Sequence, residues 1–142
     1  AMAIIAPSLL SANFLDLQSD CNMLNQSEAD WYHLDVMDGR FVPNISFGPM
    51  LIDFFRKATN KTCDVHLMIE DPLKFIDVIS YAYVNFIIVH VEGNRNLEKI
   101  IEKIRSRKVG VGVAINPTTP ASLIQRFIPS IDLKRNSIVW FL

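Results

Sequence analysis

Five short, apolar, β-prone runs, Ala3–Leu9, Trp31–Val36, Cys63–Met68, Phe86–Val91 and Val109–Ile115, alternate with segments whose apolar residues recur at helical spacing. No other feature constrains the fold as much. Strand and helix alternating in this way build βα units and a parallel sheet. The runs are nearly continuously apolar, so both faces of that sheet are expected to be covered. Phe14, Leu17, Cys21 and Leu24 follow i, i+3, i+7 and i+10, one face of a helix, with Asn13 as its predicted N-cap. Asp71-Pro72 opens a further helix through Leu73, Ile76, Val78 and Ile79, with Pro at the first helical position. Leu97, Ile100, Ile101 and Ile104 mark another, and Pro120 begins a last one through Leu123, Ile124 and Phe127.

Two parallel architectures compete, an open doubly wound sheet and a closed (β/α)8 barrel. The first strand-to-helix turn reads Ser11-Ala12-Asn13-Phe14 and has no GxGxxG, which disfavours a dinucleotide-binding sheet. A complete barrel takes ~200 residues or more, and this chain has 142. The expectation is therefore an incomplete TIM barrel: an α/β chain of about five to six βα units from the N-terminal part of that fold. Past the fifth run stand Ile131–Leu133 and a candidate strand at Ser137–Leu142, separated by Lys134-Arg135-Asn136. The predicted organisation is one partial barrel domain over 1–142, with a divergent C-terminal tail at 134–142.

Composition excludes several function classes. The net charge of -1 gives no general affinity for nucleic acid or an anionic membrane surface. The most apolar stretch, Tyr81–Val91, contains Asn85 and His90 and falls short of the ~20 residues a membrane span needs. Cys21 and Cys63 form neither a disulfide framework nor a CxxC site. No signal peptide is visible at Ala1-Met2-Ala3-Ile4-Ile5, and a cytoplasmic location is expected.

In a barrel, catalytic residues stand at the C-terminal ends of strands. Ser8, His33 with Asp35, His66, His90 and Asn116 all fall at or near such ends. Side chains alternate along a strand, so His33, Asp35 and Met37 share a face, as do His66 and Met68. An ionised carboxylate buried without a partner is costly. A divalent cation held by two imidazoles and a carboxylate removes that cost, and such a set suits Zn(II), Fe(II) or Mn(II). The rival reading is a buried His–Asp hydrogen-bonded pair. Met37 and Met68 either fill the core or form a soft apolar floor beneath a planar intermediate. Ser8 alone suits a cap or turn, His90 a satisfied core histidine, and Asn116-Pro117 a turn. Phe41–Pro49 is long for a βα loop and mixes Pro with Gly, as substrate covers do. Glu92-Gly93 and Thr118-Thr119 read as solvated loop residues.

The stretches IAPSLLSANF, WYHLDVMDGRFVPNISFGP, DVHLMIEDP and INPTTP, in this order over about Ile4 to Leu133, resemble the ribulose-phosphate 3-epimerase family. The resemblance implies a (β/α)8 barrel, one divalent metal ion (Zn, Fe or Mn) and interconversion of D-ribulose 5-phosphate and D-xylulose 5-phosphate in the pentose phosphate pathway. It implies that His33, Asp35 and His66 are three of four metal ligands and that Asp35 is also the proton-abstracting base. Ser8 and His66 would touch substrate, and Met37 and Met68 would line the intermediate. The C3 proton lies α to the C2 carbonyl, so its removal leaves an enediolate whose charge a cation on the substrate oxygens stabilises. The family's second catalytic Asp, its fourth ligand, lies on strand seven, and its phosphate grip follows strands six to eight. This chain shows neither, and after Asp132-Leu133 it reads Lys134-Arg135-Asn136-Ser137-Ile138-Val139-Trp140-Phe141-Leu142. The partners implied are a small phosphorylated ketose and, through open sheet edges, a second copy in a homo-oligomer. The alternatives are an allulose-6-phosphate 3-epimerase and a non-catalytic barrel fragment that only binds metal or associates with another chain. A decarboxylase or aldolase of the same superfamily would want Asp-x-Lys here, and Asp35-Val36-Met37 has Met at that place.

Overall fold

The computed structural model describes residues 3–93 and 96–133. Four parallel strands lie side by side in chain order: β1 (Trp31–Met37), β2 (Thr62–Met68), β3 (Phe86–His90) and β4 (Gly110–Ala114). Helices α1 (Leu17–Gln26), α2 (Pro49–Ala58), α3 (Ile76–Ser80) and α4 (Leu97–Ser106) alternate with them. This is the arrangement of part of a (β/α)8 barrel, and the expected runs match the strands to within a residue at each end. Among the described residues no helix is long and apolar enough to cross a membrane.

Parity along the strands divides the sheet. Tyr32, Leu34, Val36, Cys63, Val65, Leu67, Ile87, Val89 and Val111 face the helices and join one core with Cys21, Ile52, Phe55, Ile76, Ile100 and Ile104. Each fully buried Leu, Ile or Phe of that layer contributes roughly 1.5–3 kcal/mol. The opposite face, the barrel interior, carries His33, Asp35, Asp64, His66, Met68, Ile88 and His90, all buried. Gly112 belongs to the interior face of β4, where a Cβ would come 2.9 Å from Ile88 Cγ1, so the neighbouring side chain fills the space a larger residue would need.

Three expectations are corrected. Ala3–Leu9 forms no ladder. Ile5 O accepts from the amides of Asp30 and Trp31, and Pro7 O accepts from that of His33, leaving one parallel bridge, Ser8 to His33. Pro7 has no N–H to extend the pairing, and Ser8 already caps a 3-10 helix at Leu9–Ser11. Asn13 is not the N-cap of the first helix. Its Oδ1 accepts from Leu15 N within its own turn, while Asp16 caps α1 by accepting from Ser19 N at 3.3 Å. Phe14 therefore lies before the helix, although Cys21, Leu17 and Leu24 face the core as expected. Glu92 and Thr119 are not merely solvated, because Thr119 Oγ1 donates to Glu92 Oε1 at 2.9 Å.

The remaining helices start where the prolines place them. Pro72 opens a 3-10 turn (Pro72–Lys74) that leads into α3, and Pro120 precedes a 3-10 helix at Ala121–Ser130. Beyond it the amides of Asp132 and Leu133 both donate to Val111 O, so Ile131–Leu133 runs beside β4. The candidate strand Ser137–Leu142 and the tail 134–142 lie outside the described residues.

Candidate active site

The parallel register sets Asp35 opposite His66, with Met37 opposite Met68 one step further toward the strand ends. Asp35 Oδ1 lies 2.9 Å from His33 Nε2 and 2.9 Å from His66 Nδ1. Its second oxygen, Oδ2, accepts a short hydrogen bond from Ser8 Oγ. The bridge between Ser8 and His33 is what carries the serine to that point. Three of the six residues expected at the site, Ser8, His33 and His66, thus touch the carboxylate of a fourth, Asp35. Met68 is buried and Met37 half-buried beside them, on the same face.

The loop after β1 is tied down over this face. Ser46 Oγ donates to Asp35 O at 2.6 Å and accepts from Met37 N at 2.9 Å. Asp38 Oδ1 accepts from the amides of Arg40 and Phe41, and its Oδ2 from that of Glu70 after β2. Gly39 takes φ +73°, a left-handed conformation that suits glycine. The Phe41 ring consequently sits 5.2 Å from that of His90.

Two carboxylates that sequence reasoning had not placed at the site stand behind the histidines. Asp64 Oδ2 is 2.5 Å from His33 Nδ1. On the other flank, His66 Nε2 is 2.7 Å from His90 Nε2, and His90 Nδ1 is 3.2 Å from Glu92 Oε2. Glu92 Oε1 also accepts from the Asn116 amide, which is how Asn116 reaches the network. The signal was there: Asp64-Val65-His66 mirrors His33-Leu34-Asp35, and His90-Val91-Glu92 repeats the spacing.

Burial pulls His33 toward the neutral form, but its bonds to Asp35 and Asp64 outweigh that and raise its pKa to about 9. Burial likewise pushes Asp35 up, and the bonds from His33, His66 and Ser8 overcome it, holding the carboxyl well below the usual carboxylate range. His90 is pulled down by burial and by His66, with Glu92 opposing. Without metal, His33 is therefore an imidazolium bonded on one side to the ionised Asp35 and on the other to Asp64 Oδ2.

This charge state has a measurable consequence. A group whose folded pKa is raised from 6.5 to about 9 stabilises the fold fully below the unfolded value. Above it the unfolded chain binds fewer protons than the folded one, so stability falls as pH rises. In chelator-treated protein, urea unfolding should show stability dropping by about 3 kcal/mol between pH 6.5 and 9. A flat profile across that window would show that His33 is not held protonated.

The donor set fits a divalent metal. His33, Asp35 and His66 each offer one ligand atom, all within 4.8 Å of one another and all on buried residues. One carboxylate and two imidazoles converging in this way suit Zn(II), Fe(II) or Mn(II).

Comparison with known proteins agrees with this picture. The chain is 42% identical over 132 residues to the ribulose-phosphate 3-epimerase of Synechocystis, covering 92% of this chain and 57% of that protein. Against the ribulose-phosphate 3-epimerase of Bacillus subtilis it is 39% identical, covering 93% and 61%. Against the chloroplastic ribulose-5-phosphate-3-epimerase of Arabidopsis thaliana it is 39% identical, covering 92% and 47%. The chain thus spans about half to three-fifths of the length of these relatives. In fold, it matches a monomeric form of phosphoribosylanthranilate isomerase from Thermotoga maritima with TM-score 0.59 at 18% identity, over 99% of this chain and 64% of that one. It matches a phospho-2-dehydro-3-deoxyheptonate aldolase from the same organism with TM-score 0.62 at 14% identity, over 99% and 40%. The pattern of the ribulose-phosphate 3-epimerase family matches residues 4–134, which takes in the four described strands and every residue of the His–Asp–His cluster, and the chain belongs to that family.

Proposed function

We propose that the protein is a metal-assisted epimerase acting at C3 of a phosphorylated ketopentose, interconverting D-ribulose 5-phosphate and D-xylulose 5-phosphate. The observation that carries this reading is one ionised carboxylate, Asp35, held between two imidazoles and a serine hydroxyl at the strand ends. Asp35 stays ionised across the physiological range, the state a base needs to take the proton from C3. His33, Asp35 and His66 would hold the divalent ion, which as a Lewis acid supplies stabilisation of charge on the substrate oxygens. Ser8, bonded to Asp35 Oδ2, would orient the carboxylate and donate to or accept from a substrate oxygen. Met37 and Met68 present an apolar surface beside it, suited to a flat intermediate. The loop Phe41–Pro49 is tethered to the same strand end through Ser46, where a cover over bound substrate would sit. Inversion also needs a proton returned from the opposite side, by an acid that the family resemblance places on a later strand than the four described here.

Hydrogen exchange separates the proton-abstraction step from full inversion. With Mn(II) or Zn(II) and ribulose 5-phosphate in D2O, the 142-residue chain should place deuterium at C3 faster than buffer with metal alone. Chelator should suppress the exchange. No exchange from the metal-loaded chain would remove the catalytic reading, and faster exchange with allulose 6-phosphate would reassign the substrate.

A further inference from the structure

Asp64 is fully buried, and its Oδ1 has no hydrogen-bond partner among the described residues. A buried carboxylate with one unsatisfied oxygen destabilises a fold. Set against that cost is the contact of Oδ2, 2.5 Å from His33 Nδ1. With Asp64 Oδ2 as the acceptor of that contact, the proton stays on Nδ1 of His33. The ring then meets Asp35 through Nε2, 2.9 Å from Asp35 Oδ1, where an ion can take the place of the second proton.

The other flank has the same logic with one more residue in it. Glu92 Oε2 accepts from His90 Nδ1 at 3.2 Å. With its proton there, the neutral His90 ring offers Nε2 as an acceptor, 2.7 Å from His66 Nε2. With metal bound, His66 would keep its proton on Nε2 and turn the lone pair of Nδ1, which lies 2.9 Å from Asp35 Oδ1, to the ion in place of that bond. Two chains of hydrogen bonds, each ending in a carboxyl group, thus leave one nitrogen of each ligand ring, His33 Nε2 and His66 Nδ1, to turn to an ion beside Asp35. Glu92 is itself anchored by the Asn116 amide and by Thr119 Oγ1, so the loop after β4 sets its position.

We infer that Asp64 and Glu92 are positioning residues of the metal centre, Asp64 fixing the tautomer of His33 directly and Glu92 fixing that of His66 through His90. The inference rests on the metal-centre reading above. Carboxylates behind ligand histidines orient the ring and raise its basicity, and their loss weakens metal binding.

The test is calorimetric titration of Zn(II) into the 142-residue chain, joined to imidazole 15N NMR of the zinc-bound form. In the unsubstituted chain, His33 should bind through Nε2 with its proton on Nδ1, and His66 should bind through Nδ1 with its proton on Nε2. Asp64→Asn should lower Zn(II) affinity by roughly 10- to 100-fold and move the His33 Nδ1–H resonance. Glu92→Gln, at a partly exposed position, should cost less and move only the His66 and His90 signals. Unchanged affinity in both variants, or opposite nitrogens bound in the unsubstituted chain, would overturn the inference. Because the nitrogens are read on the unsubstituted chain, a variant that fails to fold does not protect the idea. A chain that takes up no Zn(II) would defeat the metal-centre reading itself, and the inference with it.

Discussion

Asp35→Asn is expected to slow removal of the C3 proton by roughly 10²–10⁴-fold, the range a positioned general base contributes. The amide matches the carboxylate in shape and can keep the bonds to Ser8 and the two histidines, so the fold should survive. It cannot accept a proton from carbon at neutral pH. It is also a poorer ligand, because it brings no charge to the two imidazoles. A second effect follows from the same loss: His33 would face one carboxylate, Asp64, in place of two, and its pKa should fall from about 9. The variant therefore separates two roles. Exchange of the substrate C3 hydrogen with D2O reports the base, and Zn(II) titration reports the ligand. Exchange at the unsubstituted rate would place the base elsewhere, whatever happened to metal affinity.

Much of the fold was legible because its signal is periodic. Alternating apolar runs and helical stripes mark βα units in any one sequence, and Leu97, Ile100, Ile101 and Ile104 all proved to be the buried face of α4. Boundaries were harder, because they depend on which of several polar residues captures a backbone amide. Asn13 and Asp16 are both good caps, and only the geometry shows that Asn13 is engaged with Leu15. Ala3–Leu9 has a strand's composition, yet Pro7 and the turn at Ser8 limit its pairing to a single bridge. The site divided in the same way. His33 and Asp35 share a face by strand parity alone, whereas their meeting with His66 needs the register between β1 and β2. Asp64 stands two residues from His66 in the sequence, but that spacing does not name the residue it bonds. Its partner, His33, is 31 residues away and adjacent only across the ladder. His90 reads as a core histidine and is one, but its partners are another buried histidine, His66, and a glutamate, Glu92.

Removing a ligand should have the largest effect on metal uptake, but the two histidines are not equivalent tests. His33 is fully buried with Asp64 behind it. His33→Ala would leave the Asp64 carboxylate with neither oxygen bonded to a side chain, and an uncompensated buried charge costs ~3–5 kcal/mol. A drop in Zn(II) binding by that variant could report unfolding alone. His66 lies nearer the strand ends, and its removal strands no carboxylate: Asp35 keeps Ser8 and His33, and Glu92 keeps His90, Asn116 and Thr119. His66→Ala is therefore the cleaner variant. It should keep the urea midpoint of the chelated parent to within ~1 kcal/mol of stability while weakening Zn(II) binding by more than the ~100-fold upper range for an outer-shell residue. For His33, pairing His33→Ala with Asp64→Leu removes the stranded charge along with the ligand. Replacing a buried ion pair with apolar side chains is often neutral or stabilising. That double variant should fold, should lose Zn(II) uptake, and should also lose the fall in stability between pH 6.5 and 9 that His33 confers. Full Zn(II) affinity in either His66→Ala or the folded double variant would exclude the His33, Asp35 and His66 centre.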